Sequence, residues 1–286
     1  MGMNNKLGIS SYAYYWATKE MGPNQESSLS AWDLLDKVVL LDLGVLQICE
    51  NLPLINWDRN DLERLGEAAQ QRGVILEAGT RGLDLDSLRA YVKVTHTLGA
   101  HILRLTPWSG SETRQHFPLG ELREVVDHLL PLCQECDVIL AIENHFDLPD
   151  QELALFVQQV DDVHVGVCLD TANSVGFLEK PLKTVELLAP FAVSLHLKDF
   201  VVTKPTMGYV VAGVPLGQGW LNAQEVIDVV HQAGRQPNIL LELWVDPAEN
   251  YEATLRKEEK WVRQSVAYAR HHLVHKQKIF EDTEVS

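Results

Sequence analysis

The segment "VILAIENH", from Val138 to His145, joins a run of apolar residues directly to a carboxylate, an amide and an imidazole. Its apolar part is rich in Val, Ile and Leu, which is typical of a strand buried on both faces of a parallel sheet. Polar groups that end such a strand need water, a ligand or polar partners, because burying them without partners is unfavourable. The segment therefore predicts an interior strand that leads into a functional site at Glu143.

Short apolar runs of the same kind recur along the chain, with amphipathic segments between them. This alternation favours βαβ units and a parallel sheet. Eight strands are predicted: Leu7–Tyr14, Val45–Glu50, Val74–Thr80, His101–Thr106, Val138–His145, Val165–Asn173, Val193–Asp199 and Asn238–Trp244. Because eight such units close a barrel, we predict one α/β domain over residues 1–286, a (β/α)₈ TIM barrel with an extra C-terminal helix near Ala253–Lys278.

The composition excludes several classes of partner. A formal net charge of -16 would repel nucleic acid, whose binding depends on lysine and arginine contacts to phosphate. No apolar run approaches the roughly 18 residues of a membrane-spanning helix, and the opening "MGMNNKLGIS" lacks the basic and apolar regions of a signal peptide. We therefore expect no nucleic-acid or membrane partner and a cytoplasmic location.

Four potential ligands lie at the ends of the last four predicted strands: Glu143, Asp170, His196 and Glu242. In a barrel the carboxyl ends of all strands meet at one rim, so these side chains are expected to converge. Three carboxylates buried together would repel one another strongly, and a divalent cation would remove that repulsion. The alternative is a set of separate ion pairs with buried arginine or lysine.

This donor set consists mainly of hard oxygen ligands. Carboxylates with one imidazole favour Mn²⁺ or Mg²⁺, with Zn²⁺, Co²⁺ or Fe²⁺ as further options. A single cation with four protein ligands would keep coordination positions for two substrate oxygens. We therefore predict a one-metal site that binds a small oxygen-rich molecule.

Two basic side chains near these ligands are candidates for proton transfer or substrate binding. Strand alternation places His145 on the same side as Glu143, where it could act as a base or a hydrogen-bond donor. The alternative for His145 is a rim histidine satisfied by a nearby carboxylate. Lys198 shares the face of His196 and could neutralise a substrate carboxylate or an enolate.

Other polar and aromatic residues are predicted to contact substrate. Arg104 suits a carboxylate or a sugar hydroxyl, or it could pair with Glu77 instead. Asp199 could orient the metal-site imidazole or hold a sugar hydroxyl. Trp16 and Trp244 could form an apolar wall against a sugar ring, although packing would explain them equally well.

The motifs "IENH", "LDTAN", "LHLKD" and "LELW" resemble those of the xylose-isomerase-like TIM-barrel superfamily, often described as sugar phosphate isomerases and epimerases. The resemblance covers nearly the whole chain. It implies that Glu143, Asp170, His196 and Glu242 bind one divalent metal. The stretches "QICENLPL", "LEAGTRGL" and "MGYVVAGVPLGQG" are similar to a branch described as 3-oxo-isoapionate decarboxylase-like.

The resemblance implies a hydroxy-ketone or keto-acid substrate and a metal-stabilised enediolate, with Glu143 and Glu242 as the acid and base. The leading expectation is isomerisation or epimerisation of a ketose-like sugar or sugar acid, by a possible homo-oligomer. A lyase that removes CO₂ from a 3-oxo sugar acid is the close alternative. Ketose 3-epimerases carry histidine where this chain has Asn173, a candidate substrate contact, and this departure weakens the epimerase case. A non-catalytic binding subunit is the remote alternative.

Overall fold

The computed structural model describes residues 6–19, 28–107, 119–146 and 148–274. Eight parallel strands form a closed barrel: β1 Leu7–Ser10, β2 Val45–Ile48, β3 Ile75–Arg81, β4 Ile102–Thr106, β5 Ile139–Glu143, β6 Val165–Asp170, β7 Ala192–Leu197 and β10 Asn238–Leu241. Their order around the barrel is β1-β10-β7-β6-β5-β4-β3-β2, so β10 closes it against β1. The predicted (β/α)₈ barrel is confirmed.

The described residues contain nine α-helices, most of them crossovers on the outside of the barrel. They are α1 Tyr15–Thr18, α2 Ala31–Leu40, α3 Arg59–Gln71, α4 Leu85–Thr97, α5 Leu119–Cys136, α6 Asp150–Val160, α7 Pro181–Leu188, α8 Ala223–Gln232 and α9 Tyr251–Ala269. Ser30 and Asp33 form a capping box at the start of α2. Polar caps of this kind satisfy the first backbone N–H groups of a helix.

Six barrel strands end earlier than the sequence predicts: β1 at Ser10, β2 at Ile48, β5 at Glu143, β6 at Asp170, β7 at Leu197 and β10 at Leu241. After Ser10 the chain enters a 3₁₀ helix, Ser11–Tyr14, and the Ser10 hydroxyl accepts the N–H of Tyr12 at 3.2 Å. Polar side chains that bond to their own backbone compete in this way with the sheet ladder. The predicted strands therefore run into rim loops that carry the functional residues.

A small hairpin, β8 Asp199–Thr203 and β9 Val210–Val214, is inserted after β7. Its strands pair antiparallel, from Asp199 opposite Val214 to Thr203 opposite Val210. The hairpin belongs to the long connection between β7 and α8. It stands outside the eight-stranded barrel at the same rim as the strand ends.

The apolar core joins strand residues such as Leu103 and Ile142 to helix residues such as Leu122 and Leu129, in the layer between the barrel and its helices. The C-terminal helix α9 packs against α1, where the Glu258 carboxylate accepts the backbone N–H groups of Trp16 and Ala17 at 2.7 and 3.1 Å. A π-helical turn, Arg270–Val274, follows α9. The rest of the helix predicted up to Lys278 lies outside the described residues. Among the helices of the described segments, none combines the length and hydropathy needed to cross a membrane.

Candidate metal centre

Four buried side chains converge at the carboxyl-terminal rim of the barrel: Glu143, Asp170, His196 and Glu242. Each offers a ligand atom that lies within 4.8 Å of the ligand atoms of the other three. They come from the adjacent barrel strands β5, β6 and β7 and from the residue that follows β10. The register places Asp170 opposite His196 and fixes their common height.

The imidazole of His196 lies at the middle of this cluster. Its Nδ1 is 3.2 Å from Glu242 Oε1, 3.4 Å from Glu143 Oε1 and 3.8 Å from Asp170 Oδ2. Within the described chain, neither Nδ1 nor Glu242 Oε1 has a partner in hydrogen-bonding geometry. Buried polar atoms without partners are unfavourable, and these two face one point together with two further carboxylates. The cluster could therefore bind a divalent cation.

The ion pairs that the sequence left as an alternative are also present. Lys198 Nζ lies 2.7 Å from Asp170 Oδ2 and 2.8 Å from Glu242 Oε2. Burial lowers the pKa of Lys198, but the carboxylates of Asp170, Glu242 and Glu143 outweigh it and raise that pKa above its ordinary value. Lysine pairing and convergence of ligands are thus features of the same cluster.

Three side chains hold the carboxylate of Glu143. Arg104 Nη2 lies 2.6 Å and Thr106 Oγ1 2.8 Å from its Oε2, and Asn173 Nδ2 donates to its Oε1 at 3.2 Å. Burial raises the pKa of Glu143, but the Arg104 guanidinium and the His196 imidazole hold it well below the usual range. Glu143 is therefore a stable carboxylate and a weak base.

Glu242 is also held in the charged form. Burial opposes the charge, but the His196 imidazole and the Lys198 ammonium lower the pKa of Glu242 to about 2. Both residues predicted as an acid and base pair are therefore ionised at neutral pH.

A pocket of about 450 Å³ opens onto the cluster. It contains both of the predicted acid and base residues, Glu143 and Glu242, and most of the predicted substrate contacts: Trp16, Arg104, His145, Asn173, Lys198 and Trp244. Strand alternation does not explain the position of His145, because β5 ends at Glu143. The turn after β5 brings its ring to the pocket, 4.1 Å from the ring of Phe146.

The predicted substrate contact Asp199 has a different role. Its two carboxylate oxygens accept four backbone N–H groups, from Phe200, Gly217, Gly219 and Leu221, at 2.8 to 3.0 Å. Gly217 has a φ of +83°, and a Cβ at Gly219 would lie 2.2 Å from Asp199 Oδ1. The Gly-x-Gly turn therefore wraps around Asp199, which anchors the base of the hairpin.

Arg104 does not pair with Glu77, although the sequence allows that pair. Its guanidinium instead bridges Glu50 and Glu143, with Nη1 2.9 Å from Glu50 Oε2. Glu77 lies deeper in the barrel, where it accepts hydrogen bonds from Gln47, Ser194 and Asn238. The two residues are thus parts of different polar layers.

Several residues at or near the pocket were not predicted from the sequence. Thr106 ends "HILRLT" at the same rim as Arg104, so its position at a strand end was the available signal. Tyr12 donates its hydroxyl to Glu50 Oε1 at 2.8 Å, and Arg81 lies 2.9 Å from the same oxygen. The position of Tyr12 depends on the 3₁₀ helix after β1, which no sequence pattern indicates.

Comparisons with known proteins agree with this fold. The family model of the xylose isomerase-like TIM barrel matches residues 45–271. The 3-oxo-isoapionate decarboxylase of Pectobacterium atrosepticum is 30% identical over 265 residues, which cover 92% of this chain and 94% of the relative.

Solved structures with the same fold are more distant in sequence. D-psicose 3-epimerase from Clostridium cellulolyticum H10, solved with D-tagatose, aligns with a TM-score of 0.73 at 17% identity and covers 94% of this chain and 99% of its own. A Mycobacterium smegmatis barrel protein in complex with magnesium gives a TM-score of 0.68 at 13% identity, with coverage of 93% and 99%. On the evidence of the family model and of its decarboxylase relative, the chain belongs to the xylose isomerase-like TIM barrel family.

Proposed function

We propose that this protein is a metal-dependent decarboxylase of a 3-oxo sugar acid. The observation that carries the proposal is the engagement of Glu143 by Arg104, Thr106 and Asn173. Epimerisation by two bases requires a proton acceptor on each face of the reacting carbon, and a carboxylate with a strongly lowered pKa accepts a proton poorly. Decarboxylation requires no removal of a C–H proton.

Glu143, Asp170, His196 and Glu242 would hold the cation, and Mn²⁺ or Mg²⁺ suits these ligands. When bound, a divalent cation supplies an electrophile that polarises a carbonyl oxygen.

The reaction then balances with one proton. The bond between the carboxylate carbon and C2 breaks, and its electron pair moves toward the 3-oxo oxygen to give an enolate. CO₂ leaves, and C2 takes up a proton to give a ketose that is one carbon shorter. The protein therefore has to bind a carboxylate, favour the enolate and donate one proton.

The pocket contains cations for these tasks. Arg81, Arg104 and Lys198 line it, and arginine side chains suit the planar geometry of a carboxylate. Lys198 is our choice for the proton donor, since its ammonium borders both the cluster and the pocket. Asp170 and Glu242 raise its pKa, and their effect weakens when they serve as metal ligands. With a cation on these carboxylates, burial would then favour release of the proton from Lys198.

Isomerisation or epimerisation of a ketose-like sugar is the second candidate. It is favoured by the presence of two carboxylates, Glu143 and Glu242, in one pocket. These two carboxylates could transfer protons at the two faces of a substrate carbon once a bound ligand displaces their present hydrogen-bond partners.

One assay separates the two candidates. The protein is loaded with Mn²⁺ and incubated with 3-oxo-isoapionate, and CO₂ release is followed with mass analysis of the ketose product. A parallel incubation offers D-psicose and D-fructose in D₂O. We expect CO₂ and product in equal amounts and no deuterium in the recovered ketoses. Protein treated with a chelator and Glu242→Gln protein provide the rate of spontaneous decarboxylation.

Deuterium in recovered ketose, with CO₂ release no faster than in these controls, would contradict the decarboxylase proposal and support the epimerase. Absence of both reactions with a panel of 3-oxo sugar acids and ketoses would contradict the proposal of a sugar enzyme altogether.

A further inference from the structure

A second layer of polar side chains lies beneath the candidate metal centre, inside the barrel. Gln47, Glu77 and Ser194 are fully buried there, on β2, β3 and β7. Barrel interiors are usually filled with apolar side chains, and a buried carboxylate is unfavourable unless its oxygens are hydrogen bonded. The layer therefore needs a reason beyond packing.

Glu77 determines how the amide of Gln47 is oriented. The Glu77 carboxylate accepts from Gln47 Nε2 and Ser194 Oγ, each at 3.0 Å, and from Asn238 Nδ2 at 2.9 Å. An amide nitrogen donates and an amide oxygen accepts. Because the Glu77 oxygen accepts a hydrogen bond from Gln47, the amide nitrogen of Gln47 faces Glu77. The amide oxygen of Gln47 therefore faces the metal centre.

Gln47 Oε1 in turn selects the hydrogen position on His196. It lies 2.9 Å from His196 Nε2 and 3.2 Å from Cys49 Sγ. Burial raises the pKa of the Cys49 thiol to about 12, so the thiol remains a donor to the same oxygen. An acceptor at this place requires the hydrogen of His196 on Nε2. When a cation takes the place of the second proton, the lone pair of the imidazole is on Nδ1, the nitrogen that faces the three carboxylates.

We propose that Gln47 and Glu77 are positioning residues for the metal centre, which fix His196 as an Nδ1 ligand through the relay Glu77, Gln47, His196. This inference rests on the cation site of the proposed function and extends it to a layer that touches neither cation nor substrate. Histidine ligands of metals usually donate their second N–H to a carboxylate, a carbonyl or water, and this contact sets ring orientation and ligand strength. Here an amide oxygen, itself oriented by a buried carboxylate, makes that contact.

The test compares two relay variants with one matched control. Gln47→Leu removes the acceptor with little change of volume, and Glu77→Gln replaces one of the oxygens that accept hydrogen bonds in this layer with an NH₂ donor. Ser194→Ala removes a donor to the same Glu77 oxygen but leaves the relay intact. Mn²⁺ affinity is measured by calorimetry, and ¹⁵N shifts of labelled histidine are recorded with Mg²⁺ bound. Thermal unfolding of each protein after chelation shows whether it is folded.

We expect Gln47→Leu to weaken Mn²⁺ binding about 10- to 100-fold. Glu77→Gln should also weaken it, whereas the affinity of Ser194→Ala should stay within about threefold of wild type. The His196 shifts should show the hydrogen on Nε2 in wild type and a mixture of tautomers in Gln47→Leu. If Gln47→Leu fails to fold, the Mn²⁺ affinity of Glu77→Gln is compared with that of Ser194→Ala, and a weaker affinity in Glu77→Gln alone supports the relay.

Wild-type affinity in both folded relay variants would overturn the relay, and so would a wild-type His196 in which Nδ1 carries the hydrogen. A wild-type protein that binds no Mn²⁺ would instead contradict the cation site itself, so the two failures are distinguishable.

Discussion

Asp199 and Glu242 are two carboxylates at the same rim, each with 2% of its surface exposed, but their surroundings are opposite. Asp199 accepts four backbone N–H groups. Glu242 has one oxygen 2.8 Å from Lys198 Nζ, while its other oxygen has no hydrogen-bond donor within the described chain. Burial alone thus does not identify a functional carboxylate. The useful signal is an unsatisfied oxygen directed at other ligands.

The largest effect on turnover that this contrast predicts is at Lys198, the cation beside Glu242. Lys198→Met should lower kcat for CO₂ release by about 10²- to 10⁴-fold, the usual contribution of a general acid. Lys198→Arg keeps the positive charge but holds its proton too tightly to donate it. It should therefore keep KM near the wild-type value and lose kcat. Steady-state kinetics of the three proteins provide the comparison, and a Lys198→Met enzyme with wild-type kcat would exclude the lysine as proton donor.

The next effect is structural and concerns Asp199. In Asp199→Asn one oxygen is replaced by an NH₂ group, which faces two backbone N–H groups instead of accepting them. We expect a loss of about 2–4 kcal/mol in the free energy of unfolding, measured with urea, since buried unsatisfied groups are unfavourable by amounts of this order. Mn²⁺ affinity of the folded variant should remain that of wild type. If Asp199→Asn had unchanged stability but impaired Mn²⁺ binding, Asp199 would have a metal-site role and not a structural role.

The smallest effect concerns Glu258, a buried carboxylate on α9 with two backbone donors. Burial raises the pKa of Glu258 to about 7, despite the hydrogen bonds from Trp16 and Ala17. Since the unfolded group titrates near 4.5, the folded protein binds the proton more tightly between these values, and its stability falls as pH rises. Relative to Glu258→Gln, the wild type should lose roughly 1–3 kcal/mol between pH 4.5 and pH 8.

Urea unfolding of both proteins at several pH values measures this difference. Parallel pH profiles would show that Glu258 is ionised normally in the folded protein.

The fold was predictable from sequence because each barrel strand is a short apolar run, and each crossover helix has a distinct amphipathic pattern. The convergence of the four candidate ligands was predictable for a related reason. Each lies at or just after the end of such a run, and in a parallel barrel these ends meet. Strand spacing alone therefore indicates which side chains come together.

The parts that could not be predicted depend on contacts between distant residues. Asp199 follows the same rule as the metal-site carboxylates, but Gly217 and Gly219 supply its donors through a loop whose path has no sequence signal. Arg104 bridges Glu50 and Glu143 rather than Glu77 because the barrel register places Glu77 in a lower layer. Side-chain partners of this kind are set by three-dimensional packing and not by periodicity.

The most direct test of the central claim is a calorimetric titration of Mn²⁺ into chelator-treated wild type, Glu242→Gln and Asp199→Asn. We predict one bound cation per chain in wild type and in Asp199→Asn. In Glu242→Gln the affinity should fall by more than about 100-fold, since loss of a direct ligand should exceed the 10- to 100-fold effect of an outer partner. No saturable binding to wild type, or equal binding to Glu242→Gln, would contradict the assignment of this cluster as a metal centre.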